Sequence, residues 1–479
     1  MDTSALGRIR DVVGAAGWID EPSAMEPHLR EWRGLWQGQT PAVVKPASVA
    51  EMAEVVGICA AAGIPMVPQA GNTSLCGGAV PAAEGGELLL SVERLNRVRD
   101  VDALDSSMVV EAGVLLADAQ QAAREAGRLF PLSLASEGSC RIGGNLSTNA
   151  GGVHVLRYGN MRELVLGVEV VLPDGRIWDG LRRVRKDNTG YDLKQLFIGA
   201  EGTLGIVTAA VLRLFPLPRE RWVALVAVRD VEAALALLAS AREERGEAVS
   251  SFEWIPRRAL EFVLRHIPGT RDPLAAAHEH YLLVEMDSTI AGDETLRAGA
   301  QRWLERGAAA GLILDAAVAD SAARIEALWK LRESISEAQK GEGASVKHDV
   351  AVPVSRVPEF LDRATAAVEA EWPGVRVCAF GHLGDGNIHF NLSVPEGAPD
   401  APFLDHWFAF NRIVDDVVVS LGGSIAAEHG IGRLKTGELI RCKSATELDL
   451  MRQIKTALDP VGLMNPGRIL EADPTVKPG

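Results

Sequence analysis

In the run Gly381-His382-Leu383-Gly384-Asp385-Gly386-Asn387-Ile388-His389-Phe390-Asn391-Leu392-Ser393-Val394, two imidazoles flank a chain-reversing Gly-Asp-Gly. Beyond that turn Ile388, Phe390, Leu392 and Val394 fall on one face and Asn387, His389, Asn391 and Ser393 on the other, the period of a strand whose apolar face turns to the core. A reversal at the glycines brings His382, at the end of one strand, near His389 on the next, a geometry suited to two metal-binding nitrogens. The third ligand is then a carboxylate, and Ala426-Ala427-Glu428-His429-Gly430-Ile431-Gly432 supplies one beside a further histidine. Two His and one Glu with an open position form a catalytic zinc set. Two structural histidines meet the same spacing, and spacing alone does not decide between these readings.

Two cations stand near that constellation in the chain. Ile325, Leu328, Ile335 and Ala338 make a helical apolar stripe, and the next position it demands is occupied by Arg332, with Ser336 one turn further on. An arginine at an apolar position needs an anionic partner, either a buried carboxylate or a ligand. Lys347 precedes a strand and reads either as a solvated loop lysine or as a second cation converging on a small acid.

Glycine is the one unusual count: 48 of 479 residues, one in ten where about 7% is typical. The glycines concentrate in Gln69 to Gly78, Gly138 to Gly152 and Gly199 to Ile206. All three runs are largely neutral and rich in Ser, Thr and Asn. Successive backbone N–H groups facing a concavity hold a diphosphate without cationic side chains, and only glycine allows such close approach. Neither a Gly-x-Gly-x-x-Gly with a distant acid nor a Gly-x4-Gly-Lys-Ser/Thr occurs, so nicotinamide dinucleotide and nucleoside triphosphate sites recede.

The elements that carry these runs alternate. Ser48 precedes a helix from Val49 to Ala62 stopped by Gly63, with Met52, Val55, Val56 and Cys59 on its buried face. Strands at 64–67, 87–92 and 108–112 and a helix at 116–126 continue a mixed α/β pattern. Strands at 165–172 and 176–178 join through Pro173-Asp174-Gly175, which brings in antiparallel pairing. A strand at 204–215 closes this half, and Pro216-Leu217-Pro218 marks a boundary. Strands at 222–228, 281–285, 351–354, 375–380 and 388–394 then suggest a helix-flanked antiparallel sheet.

Composition narrows the function classes. Lys and Arg total 49 against 64 Asp and Glu, a formal charge of −15, which opposes nucleic acid and anionic membranes as partners. The length favours two or three domains. Apolar residues at 47% and a mean hydropathy of +0.08 fit a globular chain with large cores. No run nears the ~18 apolar residues of a membrane helix, and the charged Met1 to Arg10 stretch fits neither a secretory signal nor a transit peptide. The five cysteines never form a Cys-x-x-Cys, so neither a disulfide framework nor a zinc knuckle is expected; a reducing cytoplasm is.

From about Pro41 to Leu470 the chain resembles the FAD-linked oxidoreductases of the vanillyl-alcohol-oxidase type, within them the D-2-hydroxyglutarate and D-lactate dehydrogenase group. The residues that carry the resemblance are Asn149-Ala150-Gly151-Gly152, Leu156-Arg157-Tyr158-Gly159, Asn188-Thr189-Gly190-Tyr191-Asp192-Leu193, Gly199 to Gly205, Gly381 to His389, Glu428-His429-Gly430 and Met464-Asn465-Pro466-Gly467. It implies an α+β chain: an FAD-binding domain of two α/β subdomains (1–218), an antiparallel-sheet cap domain with flanking helices that carries substrate contacts (219–425), and a segment (426–479) returning to the first domain. The expected cofactor contacts are Gln69, Ala70, Gly71, Asn72, Thr73, Ser74, Leu75, Gly77, Gly78, Gly138, Ser139, Ile142, Gly143, Gly144, Asn145, Thr148, Asn149, Ala150, Gly151, Glu201, Gly202, Gly205, Ile206 and Asn465. Members with covalent flavin usually carry a histidine in the first loop. Here it reads Gly71-Asn72-Thr73, so FAD is expected to be non-covalent.

The resemblance further implies His382, His389 and Glu428 as ligands of a divalent metal, with zinc the expected ion, and His429 as general base. Arg332, Ser336, Lys347 and Asn391 match positions that hold a distal carboxylate in the hydroxyglutarate branch. The implied reaction is oxidation of D-2-hydroxyglutarate to 2-oxoglutarate, the substrate being a small dicarboxylate 2-hydroxy acid; D-lactate and D-malate oxidation are same-fold alternatives. A non-catalytic flavin-binding subunit is the alternative from another class, and the intact histidine and glutamate set argues against it. An electron-transferring flavoprotein or a quinone is the expected electron acceptor, and a homodimer the expected assembly.

Overall fold

The computed structural model describes residues 2–471 and divides them into two compact units. One comprises the residues up to Gly152, Gly159–Leu217 and Glu428 onward; the other comprises Val153–Tyr158 and Pro218–Ala427. Linear boundaries at 218 and 425 leave out the six-residue excursion Val153–Tyr158, which is too short to announce itself inside a glycine-rich run. Among the described residues no helix is long and apolar enough to cross a membrane.

The first unit is built on two main sheets and a short ladder of Arg128–Leu129 with Phe215–Pro216. In the smaller main sheet, strands Trp18–Ile19, Val43–Val44, Leu88–Ser91 and Met66–Gln69 lie in that order, with Leu88–Ser91 parallel to both neighbours. Parallel pairing needs a crossover, supplied by helix Val49–Ala61. Ser48 caps it by accepting from the Glu51 amide, and the Glu51 carboxylate accepts from the Ala47 amide, together stabilising the first turn by about 1 kcal/mol. Met52, Val55, Val56 and Cys59 pack on Val44, Met66, Leu88 and Leu90, all fully buried. The returning C-terminal segment covers the open edge of this sheet: the Met66 amide donates to the Leu463 carbonyl and the Asn465 amide to the Met66 carbonyl, both at 2.8 Å.

The larger sheet is antiparallel, in the order Val98–Asp102, Ser107–Glu111, Ile206–Arg213, Val165–Val171, Ile177–Gly180. Its last two strands are joined by Pro173-Asp174-Gly175, with Gly175 at φ 86° and Asp174 accepting from the Arg176 amide at 3.0 Å. The hairpin expected at this turn is present.

The second unit is an antiparallel sheet whose strands run Ile313–Val318, Glu220–Val228, His280–Ser288, Val249–Pro256, Arg376–His382, Asn387–Ser393 and Ser345–Val346, with Asp349–Ala351 also paired to Asn387–Ser393. On one face Val231–Arg245 and Glu294–Ala309 pack around Trp303, whose ring lies 6.4 Å from those of Trp222 and Phe252. The opposite face buries Val223, Leu225, Ile255, Leu283 and Phe380 against helices Arg257–His266 and Ala322–Glu333. The strand expected at 351–354 stops at Ala351 because Pro353 has no N–H for the ladder, and a short 3₁₀ turn leads into helix Val357–Glu371.

Val153–Tyr158 belongs to this unit because strand Val249–Pro256 holds it. The Ser251 hydroxyl donates to the Val153 carbonyl at 2.7 Å, and the space where Gly384 would carry a Cβ is filled by Leu156, 2.9 Å away.

Candidate cofactor cradle and metal centre

The three glycine runs meet within the first unit. A Cβ on Gly71 would stand 2.5 Å from the Ser139 carbonyl oxygen and 2.9 Å from Cys140 Cα, and one on Gly144 would stand 3.2 Å from the Ala70 methyl. The first and second loops therefore touch where only glycine fits. The third is stitched to the second by Gly199 N–H to the Leu146 carbonyl (2.9 Å) and Glu201 N–H to the Ser147 carbonyl (2.8 Å). Among the described residues, no backbone carbonyl accepts from the amides of Gly71, Asn72, Thr73, Ser74 or Leu75. A consecutive set of amides unspent on the fold is what a neutral diphosphate cradle requires.

Several side chains expected to contact the cofactor serve the scaffold. Gln69 donates to the His28 and Ala79 carbonyls, each at 2.9 Å, and Asn72 to those of Pro27 and Arg30. Asn465 ties the first loop to the third, donating to Gly78 O (3.1 Å) and Glu201 O (2.8 Å), while its Oδ1 is buried without a partner. Asn145 Oδ1 is buried and unpartnered too, whereas Asn149 Oδ1 accepts from the Arg162 amide. Thr148 donates back to the Gly144 carbonyl. Gly205 packs on Val170 and Phe197, and Ile206 enters the core, so the third run contributes mainly Gly199 to Gly202 to the loop.

Glu201 also fixes the His429 loop. Its carboxylate accepts from the Ile431 and Gly432 amides, both at 2.7 Å, and burial pushes its pKa up to about 6. Gly430 and Gly432 lie at φ 74° and 52°, and a Cβ on Gly432 would collide with the Cys76 carbonyl. Glu428 and His429, both half-buried, open this segment.

The paired histidines lie in the second unit. In the hairpin Arg376–His382/Asn387–Ser393, His382 stands opposite Asn387 and His389 opposite Phe380. The imidazole rings are 5.5 Å apart, and each offers a ring nitrogen within 4.8 Å of the other's. His382 Nδ1 lies 2.8 Å from Glu253 Oε1. His389 Nδ1 lies 3.7 Å from Asp349, which accepts from Asn387 at 2.9 Å. Ala427, bonded to Glu428, donates its amide to the Asp349 carbonyl.

Apart from half-buried His389, the strand's polar face is buried like its apolar one. Asn391 donates to Gln339 Oε1 and Gln339 donates to the Ser393 hydroxyl, each at 2.9 Å, so polar side chains satisfy one another inside the unit.

The anionic partner that Arg332 needs on an apolar stripe is a buried carboxylate. Arg332 Nε donates to Glu253 Oε2 at 2.8 Å in a buried pair, its guanidinium lies 4.9 Å from the Phe380 ring centre, and Nη2 is buried with no hydrogen-bond partner among the described residues. Burial opposes ionisation of Glu253, yet the His382 imidazole and the Arg332 guanidinium beside it prevail and hold it below the usual carboxylate range. Lys347 Nζ donates to the Ser336 carbonyl at 3.4 Å, bringing these two expected substrate residues together, although the Ser336 side chain is exposed.

Sequence reasoning passes over Glu253, whose one signal is a lone acid in the run Phe252-Glu253-Trp254-Ile255. It passes over a second ionic cluster as well. Glu285 accepts from Trp329 at 2.8 Å and pairs with Arg221 at 2.6 Å, and burial together with Glu285 pushes Asp287 up to about 6.

Two family models match the chain: the FAD binding domain over residues 40–180 and the C-terminal domain of FAD linked oxidases over residues 217–469. The chain is 40% identical over 463 residues to D-2-hydroxyglutarate dehydrogenase of Xanthomonas citri pv. viticola, covering 97% of this chain and 96% of that one. It is 36% identical over 477 residues to the mitochondrial D-2-hydroxyglutarate dehydrogenase of Bos taurus (98% and 83% covered). Identity to the D-2-hydroxyglutarate–pyruvate transhydrogenase of Saccharomyces cerevisiae is 35% over 477 residues (97% and 94% covered). Among solved structures, substrate-bound p-cresol methylhydroxylase matches with a TM-score of 0.77 at 16% identity, over 98% of this chain and 97% of that one. The 4-ethylphenol oxidase from Gulosibacter chungangensis matches at 0.74 and 17%, over 99% and 98%. At that identity the likeness is one of fold, the vanillyl-alcohol-oxidase type.

Proposed function

The chain belongs to the FAD-linked oxidases, a family it shares with the D-2-hydroxyglutarate dehydrogenases, and from that premise we propose that it oxidises D-2-hydroxyglutarate to 2-oxoglutarate. The observation that carries the substrate reading is Arg332 Nη2, a charged donor buried without a partner. Leaving such a group unpaired costs about 1–3 kcal/mol, which a substrate carboxylate would recover. Lys347 adds a second cation suited to the distal carboxylate of a dicarboxylate, with Ser336 and Asn391 as the remaining substrate contacts, and favours hydroxyglutarate over lactate.

FAD would be held non-covalently by the Gly71 to Leu75 amides, Gly138 to Gly151 and the Glu201 loop. FAD bound there supplies the hydride acceptor at N5. A divalent ion, zinc in our reading, would be held by His382, His389 and Glu428 and would supply a Lewis acid for the substrate's 2-hydroxyl. Arg332 and Lys347 orient the substrate by its carboxylates. His429 takes the hydroxyl proton as hydride leaves C2. One methylene is worth only ~1–3 kcal/mol, so D-malate is accepted as a poorer substrate.

The test is anaerobic mixing of the FAD-loaded protein with D-2-hydroxyglutarate, D-malate and D-lactate, before and after treatment with a chelator. Flavin bleaching is expected to be fastest with D-2-hydroxyglutarate and to be slowed by the chelator; no bleaching with any of the three acids sinks the proposal. The cradle has its own check. Gly71→Val forces a side chain against the Ser139 carbonyl and is expected to yield protein without the visible flavin spectrum, whereas full FAD content would remove Gly71 from the cradle.

We further propose an electron-transferring flavoprotein or a quinone as electron acceptor, a homodimer, and a cytoplasmic setting. Burial pushes the Cys59 and Cys378 thiols up to about 12, which makes them unreactive core residues.

A further inference from the structure

Glu253 sits at 1% exposure in a strand that otherwise offers the helices Ile255 and apolar neighbours. A buried carboxylate is tolerated only when its oxygens are satisfied, and here each has its own partner. Oε1 meets His382 Nδ1 and Oε2 meets Arg332 Nε, both at 2.8 Å. One partner comes from the adjoining strand, where Glu253 and His382 are register neighbours, and the other from helix Ala322–Glu333.

The two bonds constrain different chemistry. A carboxylate at His382 Nδ1 favours the tautomer with the proton there, in which Nε2 is the basic nitrogen and the stronger ligand. The bond to Arg332 Nε, with the Phe380 ring beneath the guanidinium, fixes its plane and so the direction of the unpartnered Nη2. We infer that Glu253 is a positioning residue that sets at once the metal-binding tautomer of His382 and the aim of Arg332 at a substrate carboxylate, tying metal affinity to dicarboxylate recognition.

This inference rests on the proposed reaction yet makes a separate demand. Glutamine has the volume of Glu253 but one acceptor and one donor. With its oxygen toward Arg332 it turns an N–H toward His382 Nδ1, which moves the ring proton to Nε2 and removes the metal lone pair. Reversed, it sets N–H against N–H at Arg332.

The experiment is a zinc titration of FAD-loaded wild-type and Glu253→Gln protein against a chromophoric chelator without substrate, followed by steady-state kinetics at saturating zinc. Zinc affinity is expected to fall about 10–100-fold. KM for D-2-hydroxyglutarate is expected to rise about tenfold with a smaller change in kcat, the signature of lost ground-state binding. A glutamate that merely props the fold would lower the melting temperature and leave zinc affinity unmoved. Should E253Q fail to accumulate with FAD, E253D carries the same test: it keeps the charge but, one methylene shorter, cannot span both partners, and at least one parameter must shift. Unchanged zinc affinity and unchanged KM in a folded variant overturn the inference. Failure of the reaction itself reads differently, as wild-type protein that binds zinc but is reduced by no D-2-hydroxy acid.

Discussion

Replacing His429 with asparagine is expected to lower kcat about 10²–10⁴-fold while FAD stays bound, the span that a positioned general base contributes. Asparagine keeps much of the imidazole's size and one of its hydrogen bonds but cannot take a proton at neutral pH. The loop should survive the change, because its position is set by backbone: the Ile431 and Gly432 amides on Glu201, and glycines at positive φ on either side of Ile431. The loss should therefore appear in flavin reduction itself, measured anaerobically in a single turnover, with FAD content unchanged after gel filtration. Reduction within tenfold of wild type would show that the proton leaves by another group.

The second large effect is expected from His389→Ala. A Lewis acid contributes several kcal/mol of transition-state stabilisation, and each ~1.4 kcal/mol is a factor of ten, so loss of the ion should slow bleaching by about 10³-fold or more. The strand should hold, since its ladder continues on both sides: position 389 pairs with Phe380 in one neighbour and Asp349 in the other. Elemental analysis should find the metal content reduced towards zero with FAD retained, because the glycine loops belong to the other unit. Full metal content with normal turnover would remove His389 from the ligand set.

What the sequence makes legible is what it encodes locally. The hairpin carrying His382 and His389 follows from a two-residue period and a Gly-Asp-Gly reversal, and helix Val49–Ala61 from Ser48, its apolar spacing and Gly63. The glycine runs announce a cradle because so many glycines have few other uses. Orientation is less accessible. Gln69, Asn72 and Asn465 are expected at the cofactor, but an amide's place in the chain does not show that its side chain also donates to scaffold carbonyls, as all three do. Glu253 is hidden for another reason: its partners lie 129 and 79 positions away, and in the linear string it is one acid in a buried strand. The excursion Val153–Tyr158 is equally silent, since Ser251, which holds it, lies 98 positions on.

The bonds between Met66 and the Leu463–Asn465 stretch also fix an order of assembly. A chain emerging from the ribosome exposes the Met66–Gln69 edge well before the segment that covers it, which follows the whole of the second unit. Every strand of the second unit is synthesised in between, so that unit can close while its predecessor still has an unpaired edge, the kind of surface that recruits foreign strands. The dinucleotide-binding half, although begun first, is finished last.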